Sequence, residues 1–128
     1  MKLVPTFRCL NFQESLDFYT KILEFNIDFI HETPTPDRIV HFAGLDKNGC
    51  ELHLSEHRGD GVFGSVAYVR VDEVDELFKR FVRNGLPKSH KKDSPVHHEP
   101  TDQTWGMMEF YVDDPSGNTL RFGCAIRG

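Results

Sequence analysis

The sequence predicts an α+β fold in which two tandem βαβββ modules form one domain of 128 residues. Two observations predict it. The order of a strand, a capped helix and three extended runs occurs twice, and the strand-like runs alternate apolar and polar residues. The first module covers about residues 1–58 and the second about residues 62–128, with "HRGDGVFG" at 57–64 as their join. Helices on one face of the sheets would leave the other face free for function.

The first module begins with the strand-like run "VPTFRCLN", and the helix "FQESLDFYTKILE" follows it. Asn11 precedes this helix and Glu14 stands three residues later, which is capping-box spacing. Leu16, Tyr19 and Leu23 recur at helical intervals. Glu24 is not a usual helix terminator, so we expect this helix to end differently from the second. The extended runs "FNIDFIHE", "DRIVHFAG" and "CELHLSEH" follow, separated by turn residues.

The second module repeats this order with "GSVAYVRV" and "DEVDELFKRFVRNG". Asp72 and Asp75 have capping-box spacing, and Gly85 is the predicted helix terminator. The apolar positions of the helix are Val74, Leu77, Phe78 and Phe81. Extended runs are predicted from "LPKSHKK" to "HHEP", then at "GMMEFYVD" and "TLRFGCAI", and "DPSGN" between the last two predicts a hairpin.

Composition excludes several classes of partner. A net charge of −5 argues against a nucleic-acid surface, because phosphate binding needs clustered Lys and Arg. The one basic cluster, "HKKD" at 90–93, reads as a solvated loop. No apolar run is long enough for a membrane span, and the first residues do not resemble a signal peptide. Cys9, Cys50 and Cys124 form no CxxC pair, which predicts reduced structural thiols and a cytoplasmic location.

Side chains alternate along a strand, so the two faces of the predicted sheets can be separated. One face is apolar, as Leu52 with Leu54 and Phe110 with Val112 illustrate. The other face gathers Arg8, Glu51, His53, Tyr68, Glu109, Tyr111 and Arg121. A solvated face would also be polar. The mixture of aromatic and His side chains with few long flexible charges favours the lining of a ligand cleft.

Three residues invite a specific role. Trp105, beside Gly106 and polar neighbours, is either a core residue or a ring at the cleft mouth that stacks on a flat ligand. Glu109 stands in a run of Met, Phe, Tyr and Val, where it would bind a cation or amine or take part in acid–base chemistry. His53 is a ligand contact, a general base or a structural residue.

Several stretches together resemble the vicinal oxygen chelate superfamily: "SLDFYTKILEF", "ELHLSEH", "TWGMMEFYVDDPSGNTLRF" and the acidic helix start at Asp72. The chain is most similar to the glyoxalase/bleomycin resistance protein/dioxygenase family, in its bleomycin-resistance-protein-like branch. The resemblance runs from Val4 to Ile126. It implies mixed sheets that curve around a concave cleft, and a homodimer whose sites lie where modules meet, often between chains.

Metal-dependent branches of this superfamily place ligands on the first and last strands of each module. Those positions are Val4, Glu51, Val66 and Arg121 here, and only Glu51 can bind a metal. The resemblance therefore implies a pocket without metal or cofactor, in which Arg121 takes the electrostatic place of the ion and forms a buried pair with Glu51 or Glu109. A metal site built from Glu51, His53, His57 and Glu109 is the alternative.

The function expected from the resemblance is metal-independent sequestration of a bulky small molecule, as in antibiotic resistance by bleomycin resistance proteins. The net charge of −5 suits a cationic glycopeptide. The expected ligand-binding residues are Trp105, Glu109, His53, Arg121, Glu51, Tyr68, Tyr111 and Arg8. The alternative is a metal-dependent glyoxalase-like lyase or epimerase, or a ring-cleaving dioxygenase, which uses the metal as a Lewis acid. A purely structural or regulatory dimer is a third possibility, in which no small molecule would raise the melting temperature.

Overall fold

A computed structural model describes residues 1–88 and 94–126, so the basic cluster at 90–93 lies outside the described residues. Two compact units are present. The first contains Met1–Ser65 together with Asp114–Asn118, and the second contains Val66–Asp113 and the chain from Thr119 onwards. Each unit holds one helix and one four-stranded mixed sheet. The predicted α+β class and the doubled βαβββ order are therefore confirmed.

The first unit has the strand order β1-β4-β3-β2, with β1 parallel to β4 and the other pairs antiparallel. Its elements are β1 (Thr6–Arg8), α1 (Phe12–Asp17), a π-helical turn (Phe18–Ile22), β2 (Asn26–Pro34), β3 (Ile39–Lys47) and β4 (Cys50–Ser55). The apolar side chains of α1, of the π-helical turn and of β1, β3 and β4 form its core, including Phe7, Leu16, Tyr19, Leu45 and Leu54.

Both ends of α1 follow from local chemistry. The Asn11 side-chain oxygen accepts the backbone N–H of Glu14 at 2.9 Å, as the capping-box spacing predicted. The helix then widens into the π-helical turn and ends without a glycine, because Glu24 itself adopts a left-handed conformation with φ of 64°. Lys47 Nζ donates to the Leu23 carbonyl at 2.8 Å, which satisfies one of the free carbonyls at this end.

The hairpin turn Asp114–Asn118 belongs to the core of the first unit. The buried Asp114 carboxylate accepts the Tyr19 hydroxyl at 2.8 Å, the backbone N–H groups of Ser116 and Asn118, and the Asn118 side-chain amide. Burial raises the pKa of Asp114, although these hydrogen bonds act in the opposite direction. The Asn118 amide also donates to the Arg8 carbonyl at 2.8 Å, so the turn is fastened to β1 as well as to the helical segment.

The second unit has the strand order β5-β8-β7-β6, with β5 parallel to β8. Its elements are β5 (Val66–Arg70), α2 (Val74–Arg83), β6 (Thr101–Asp102), β7 (Met107–Asp113) and β8 (Thr119–Ala125). Phe81 of α2 meets Phe110 and Phe122 edge to face, and those two rings stack on each other with centroids 5.0 Å apart. Helix α2 therefore covers the apolar side of this sheet.

Two predictions for the second unit need correction. The N-cap of α2 is Glu73, without a side-chain cap bond, so the predicted capping box at Asp72 is wrong by one residue. The extended run predicted as far as "HHEP" contains a single bridge, Val96 to Tyr111, in its described part, and the edge strand β6 comes after it. Gly85 is confirmed as terminator, since it has φ of 105° directly after the C-cap Asn84.

Neither helix in the described part of the chain is long and apolar enough to cross a membrane. Cys9 is buried, and burial raises the pKa of its thiol to about 12. A thiol with so high a pKa is almost entirely protonated near neutral pH and is a poor nucleophile. This agrees with the structural role predicted for it.

Candidate functional site

The site side of the second sheet is built by strand register. Tyr68, Arg121 and Tyr111 are paired across β5, β8 and β7 in one row, and Arg70, Gly123 and Glu109 form the next row. Alternation places these six residues on the side of the sheet opposite Phe110 and Phe122. We call this surface, together with Trp105 in the loop before β7, the Glu109 face.

Glu109 is the centre of the Glu109 face. It is 3% exposed, and both carboxylate oxygens have donors. Oε2 accepts the Tyr68 hydroxyl at 2.6 Å and the Trp105 indole N–H at 3.2 Å, and Oε1 accepts the Tyr111 hydroxyl at 3.0 Å. Charge-assisted hydrogen bonds of this kind are roughly twice as strong as neutral ones. One carboxylate therefore fixes the positions of three aromatic side chains.

Gly123 makes this arrangement possible. The Tyr68 side chain crosses over it to reach Glu109 on the far strand, and a Cβ at this position would collide with the Tyr68 hydroxyl and ring. A glycine inside a strand often marks a place where another group approaches the backbone closely. The sequence analysis did not use Gly123, although its place in "TLRFGCAI" carries that signal.

The protonation states of the Glu109 face follow from its hydrogen bonds. Burial alone would raise the pKa of Glu109, but the hydrogen bonds from Tyr68, Trp105 and Tyr111, together with the Arg121 charge, hold it below its usual value. Burial and the bond to Glu109 raise the pKa of Tyr68 to about 12, and the same causes raise the pKa of Tyr111. Near neutral pH Glu109 is thus charged and both phenols remain neutral donors.

The aromatic cover over Glu109 is one side chain thick. Tyr68 is 43% exposed and Trp105 is 60% exposed, so both rings have a side open to solvent. The hydroxyl and the indole N–H point inward to the carboxylate while the apolar ring surface points outward. Tyr and Trp are suited to sites that need one polar end and one apolar surface. The Glu109 face can therefore offer rigid rings to a flat ligand.

Arg121 does not have the buried position that the sequence analysis predicted for it. Its side chain is exposed, and its guanidinium lies 4.9 Å from the centre of the Tyr111 ring. In residues 1–88 and 94–126 it forms no ion pair, and Glu51 is paired with Lys2 at 2.8 Å. The predicted buried pair of Arg121 with Glu51 or Glu109 is therefore not formed. Arg121 acts on Glu109 through its charge rather than through contact.

The first sheet carries an aromatic surface of its own, which we call the Phe29 face: Phe29, His31, Phe42, Gly44 and His53 on β2, β3 and β4. The Phe29 ring lies over Gly44, where a Cβ would collide with it. Phe42 and His53 meet at 5.1 Å between ring centroids. His53 is thus an aromatic contact, and the sequence analysis missed its partners because it did not sort the faces of β2 and β3.

Arg8 lies at the edge of the same sheet. Strand register pairs it with Ser55, two residues after His53 on β4, and its guanidinium lies 4.8 Å from the centre of the Phe63 ring. Its Nε is buried and has no hydrogen-bond partner among the described residues. Arg8 is therefore a second arginine that stacks on an aromatic ring without a carboxylate partner in the part of the chain that the structure describes.

A cleft of about 440 Å³ opens in the first unit beside α1, lined in part by Phe12, Leu16, Ile30, Arg38 and His41. Its buried acid, Glu56, accepts the His41 ring nitrogen Nδ1 at 2.7 Å and the His41 backbone N–H at 2.9 Å. His41 also stacks on Phe12. The buried polar groups of this cleft satisfy one another, so the cleft offers no free buried charge to a ligand.

The described residues contain no group of three His, Cys, Asp or Glu side chains arranged to hold a metal ion. The residues proposed for the alternative metal site contact other side chains instead. Glu51 pairs with Lys2, His53 and His57 contact Phe42, and Glu109 is held by three aromatic donors. The side chains at Val4 and Val66 supply no donor atom. The residues at the metal positions of related branches therefore do not fit a metal.

The chain was compared with protein families and with known proteins. The profile of the family described as the Glyoxalase/Bleomycin resistance protein/Dioxygenase superfamily matches residues 5–122. A comparison with curated proteins gives no match.

Solved structures match the whole chain. A bleomycin resistance determinant encoded on the transposon Tn5 is 20% identical, with a TM-score of 0.75 and 99% of each chain covered. A bleomycin-binding protein complexed with bleomycin is 21% identical, with a TM-score of 0.74, and the match covers 98% of this chain and 99% of that one. The bleomycin-binding protein of Streptomyces verticillus, complexed with copper(II)-bleomycin, is 25% identical, with a TM-score of 0.71. This match covers 99% of this chain and 97% of that one.

Proposed function

The chain belongs to the glyoxalase/bleomycin resistance protein/dioxygenase superfamily, and from this premise we propose that it binds a bulky small molecule without a metal and without chemical conversion. The observation that carries the proposal is the Glu109 face. A buried carboxylate with three aromatic donors holds two exposed rings, which is an arrangement suited to stacking. The bleomycin-binding proteins of similar fold make bleomycin the first compound to test.

The proposed roles are divided between recognition and support. Trp105, Tyr68 and Tyr111 contribute ring surface to the ligand, and Glu109 positions them. Arg121 lies in the same row as Tyr68 and Tyr111 and contributes charge at the surface of the Glu109 face. On the Phe29 face, His53 and the neighbouring Arg8 would contact ligand. Glu51 has Lys2 as its partner and is proposed as a peripheral contact only.

We propose that the functional form is a cytoplasmic homodimer, as in the relatives that the sequence resembles. Sedimentation equilibrium of the purified chain tests this. A monomeric mass for protein that binds ligand fully under the same conditions would contradict the dimer. It would leave the proposed role of the Glu109 face unaffected.

The binding function is tested by titrating the protein with bleomycin and a panel of flat aromatic compounds. Trp105 fluorescence should change saturably, because the single tryptophan lies on the proposed contact surface. The melting temperature should rise, since ligand at 100 times Kd adds about 2.7 kcal/mol to stability.

Trp105→Leu should weaken binding about tenfold, the equivalent of ~1.4 kcal/mol of lost stacking. Trp105→Phe keeps a ring and should lose less. Failure of every compound to raise the melting temperature would overturn the proposal. Stoichiometric Zn, Ni, Mn or Fe in the purified protein would favour the metal-dependent lyase, epimerase or dioxygenase function instead.

A further inference from the structure

The charge on the Glu109 face points to a ligand class, and this inference rests on the binding function proposed above. We propose that the flat part of the ligand carries an acidic group, a carboxylate or phosphate, which Arg121 and Arg70 receive while the rings stack. The proposal reverses the expectation of a cationic ligand. It follows from a comparison of the arginines on this face with the carboxylates, whose oxygens already accept hydrogen bonds.

Within residues 1–88 and 94–126, the two arginines of the Glu109 face form no ion pair with an acidic side chain. The Arg121 guanidinium lies 4.9 Å from the centre of the Tyr111 ring, and the Arg70 guanidinium lies 5.9 Å from the centre of the Tyr68 ring. Both side chains are exposed, and neither forms an ion pair within the described ranges 1–88 and 94–126. A guanidinium stacked on a ring keeps its edge N–H groups free for a planar acid, which it can bind through two parallel hydrogen bonds.

The acids on and beside the Glu109 face, by contrast, already have donors. Tyr68, Trp105 and Tyr111 occupy both oxygens of Glu109. Asp113, at the far end of β7, accepts the Thr119 hydroxyl at 2.6 Å. An incoming ammonium group would have to displace these donors from Glu109, whereas an incoming carboxylate would meet two arginines that form no ion pair in the part of the chain that the structure describes. The contact chemistry of the face therefore selects for an acid.

Arg8 in the first unit gives an independent observation of the same kind. It stacks on Phe63 at 4.8 Å, and its buried Nε has no acceptor among the described residues. A buried N–H without an acceptor is unfavourable, and an acidic ligand group would relieve it. Both units thus present an arginine on an aromatic ring, and neither arginine forms an ion pair with a described carboxylate.

The net charge of −5 does not oppose this inference. Net charge governs long-range attraction, which salt screens within about 8 Å at physiological ionic strength. Contacts at the surface decide which ligand stays bound. An acid would therefore associate more slowly than a cation of the same size but would dissociate more slowly as well.

The test compares three probes with one ring system and different charge: naphthalene-2-carboxylate, naphthalene-2-carboxamide and 2-naphthylmethylammonium. Calorimetric titration at 50 mM salt should give the carboxylate at least tenfold tighter binding than the amide, and the ammonium the weakest. Arg121→Gln should lower the affinity for the carboxylate at least fivefold more than the affinity for the amide. Arg83→Gln on α2 makes the same charge change away from the site and should keep the wild-type preference.

Equal affinity for carboxylate and amide would overturn the inference, as would preference for the ammonium. A carboxylate preference that persists in the double variant Arg70→Gln, Arg121→Gln would also overturn it. Binding of the amide without any charge preference would overturn this inference alone. If all three probes and bleomycin fail to bind, the proposed function fails and the inference fails with it.

Discussion

The two units solve one packing problem in two ways. In each sheet an aromatic ring lies over a strand glycine: Phe29 over Gly44 in the first unit and Tyr68 over Gly123 in the second. The Phe29 ring contacts the neighbouring rings of His31, Phe42 and His53. The Tyr68 ring ends in a hydroxyl that donates to a buried carboxylate. The difference teaches that the first surface can rearrange at little cost, whereas any displacement of Tyr68 removes a partner from a buried charge.

The strongest way to break this comparison is to fill the space beneath each ring. Gly123→Ala should lower the free energy of unfolding by about 3 kcal/mol, because overpacking costs about 1–3 kcal/mol and a hydrogen bond to a charged group adds about 1.5–3. Gly44→Ala is the matched control and should cost about 1 kcal/mol, because Phe29 is partly exposed and can turn aside. Urea unfolding measures both. Equal losses in the two variants would contradict the difference between the units.

The next effect concerns the charge of Glu109. Its folded pKa lies below the unfolded value, so the stability that it contributes is present above the unfolded pKa, near 4.5, and is lost as pH falls through the folded pKa. Glu109→Gln should cost about 2 kcal/mol at pH 7, since a buried donor set loses its charged acceptor. The difference between wild type and variant should shrink as pH falls below 4.5.

Urea unfolding from pH 7 to pH 3 measures this difference curve. Other carboxylates, including Asp114 with its raised pKa, affect both proteins equally and cancel in the difference. A difference that stays constant or widens towards low pH would show that Glu109 is not stabilised in its charged form.

Among the changes to the second unit, the smallest effect should come from making it resemble the first. Tyr68→Phe leaves the ring over Gly123 but removes the hydroxyl from Glu109, and we expect a loss of about 1.5 kcal/mol in unfolding free energy. Because the aromatic cover is thin, water can replace part of the lost bond. The acid limb of the stability curve should also move to higher pH, since one of the interactions that lower the Glu109 pKa is gone. An unchanged acid limb would contradict that role of Tyr68.

Local chemistry made much of the fold predictable. The Asn11 cap and the "DPSGN" hairpin depend on neighbouring residues, and alternation depends only on strand geometry. The ends of the helices were less predictable. Glu24 adopts a conformation that a glycine would usually take, and the N-cap of α2 falls at Glu73 rather than Asp72. Such choices depend on packing that a short window of sequence does not contain.

The common face of Tyr68, Glu109 and Tyr111 was predictable, but the hydrogen bonds between them were not. Alternation placed Tyr68, Glu109 and Tyr111 on one face, and the structure brings them together. Sequence did not indicate that Glu109 would accept hydrogen bonds from neutral donors rather than pair with Arg121, because side chains on strands two apart meet only if the residue on the strand between them is small. Gly123 supplies that gap, and it is the signal that should have been read.

The turn Asp114–Asn118 has a consequence for how the chain can be assembled. Two groups near the amino terminus, the Tyr19 hydroxyl and the Arg8 carbonyl, are satisfied by residues 95 and 110 positions later in the chain. Closing so long a loop is slow compared with forming local contacts. During synthesis the first half would therefore stay incompletely ordered until the turn has left the ribosome, and a fragment cut at the join would lack the turn that completes it.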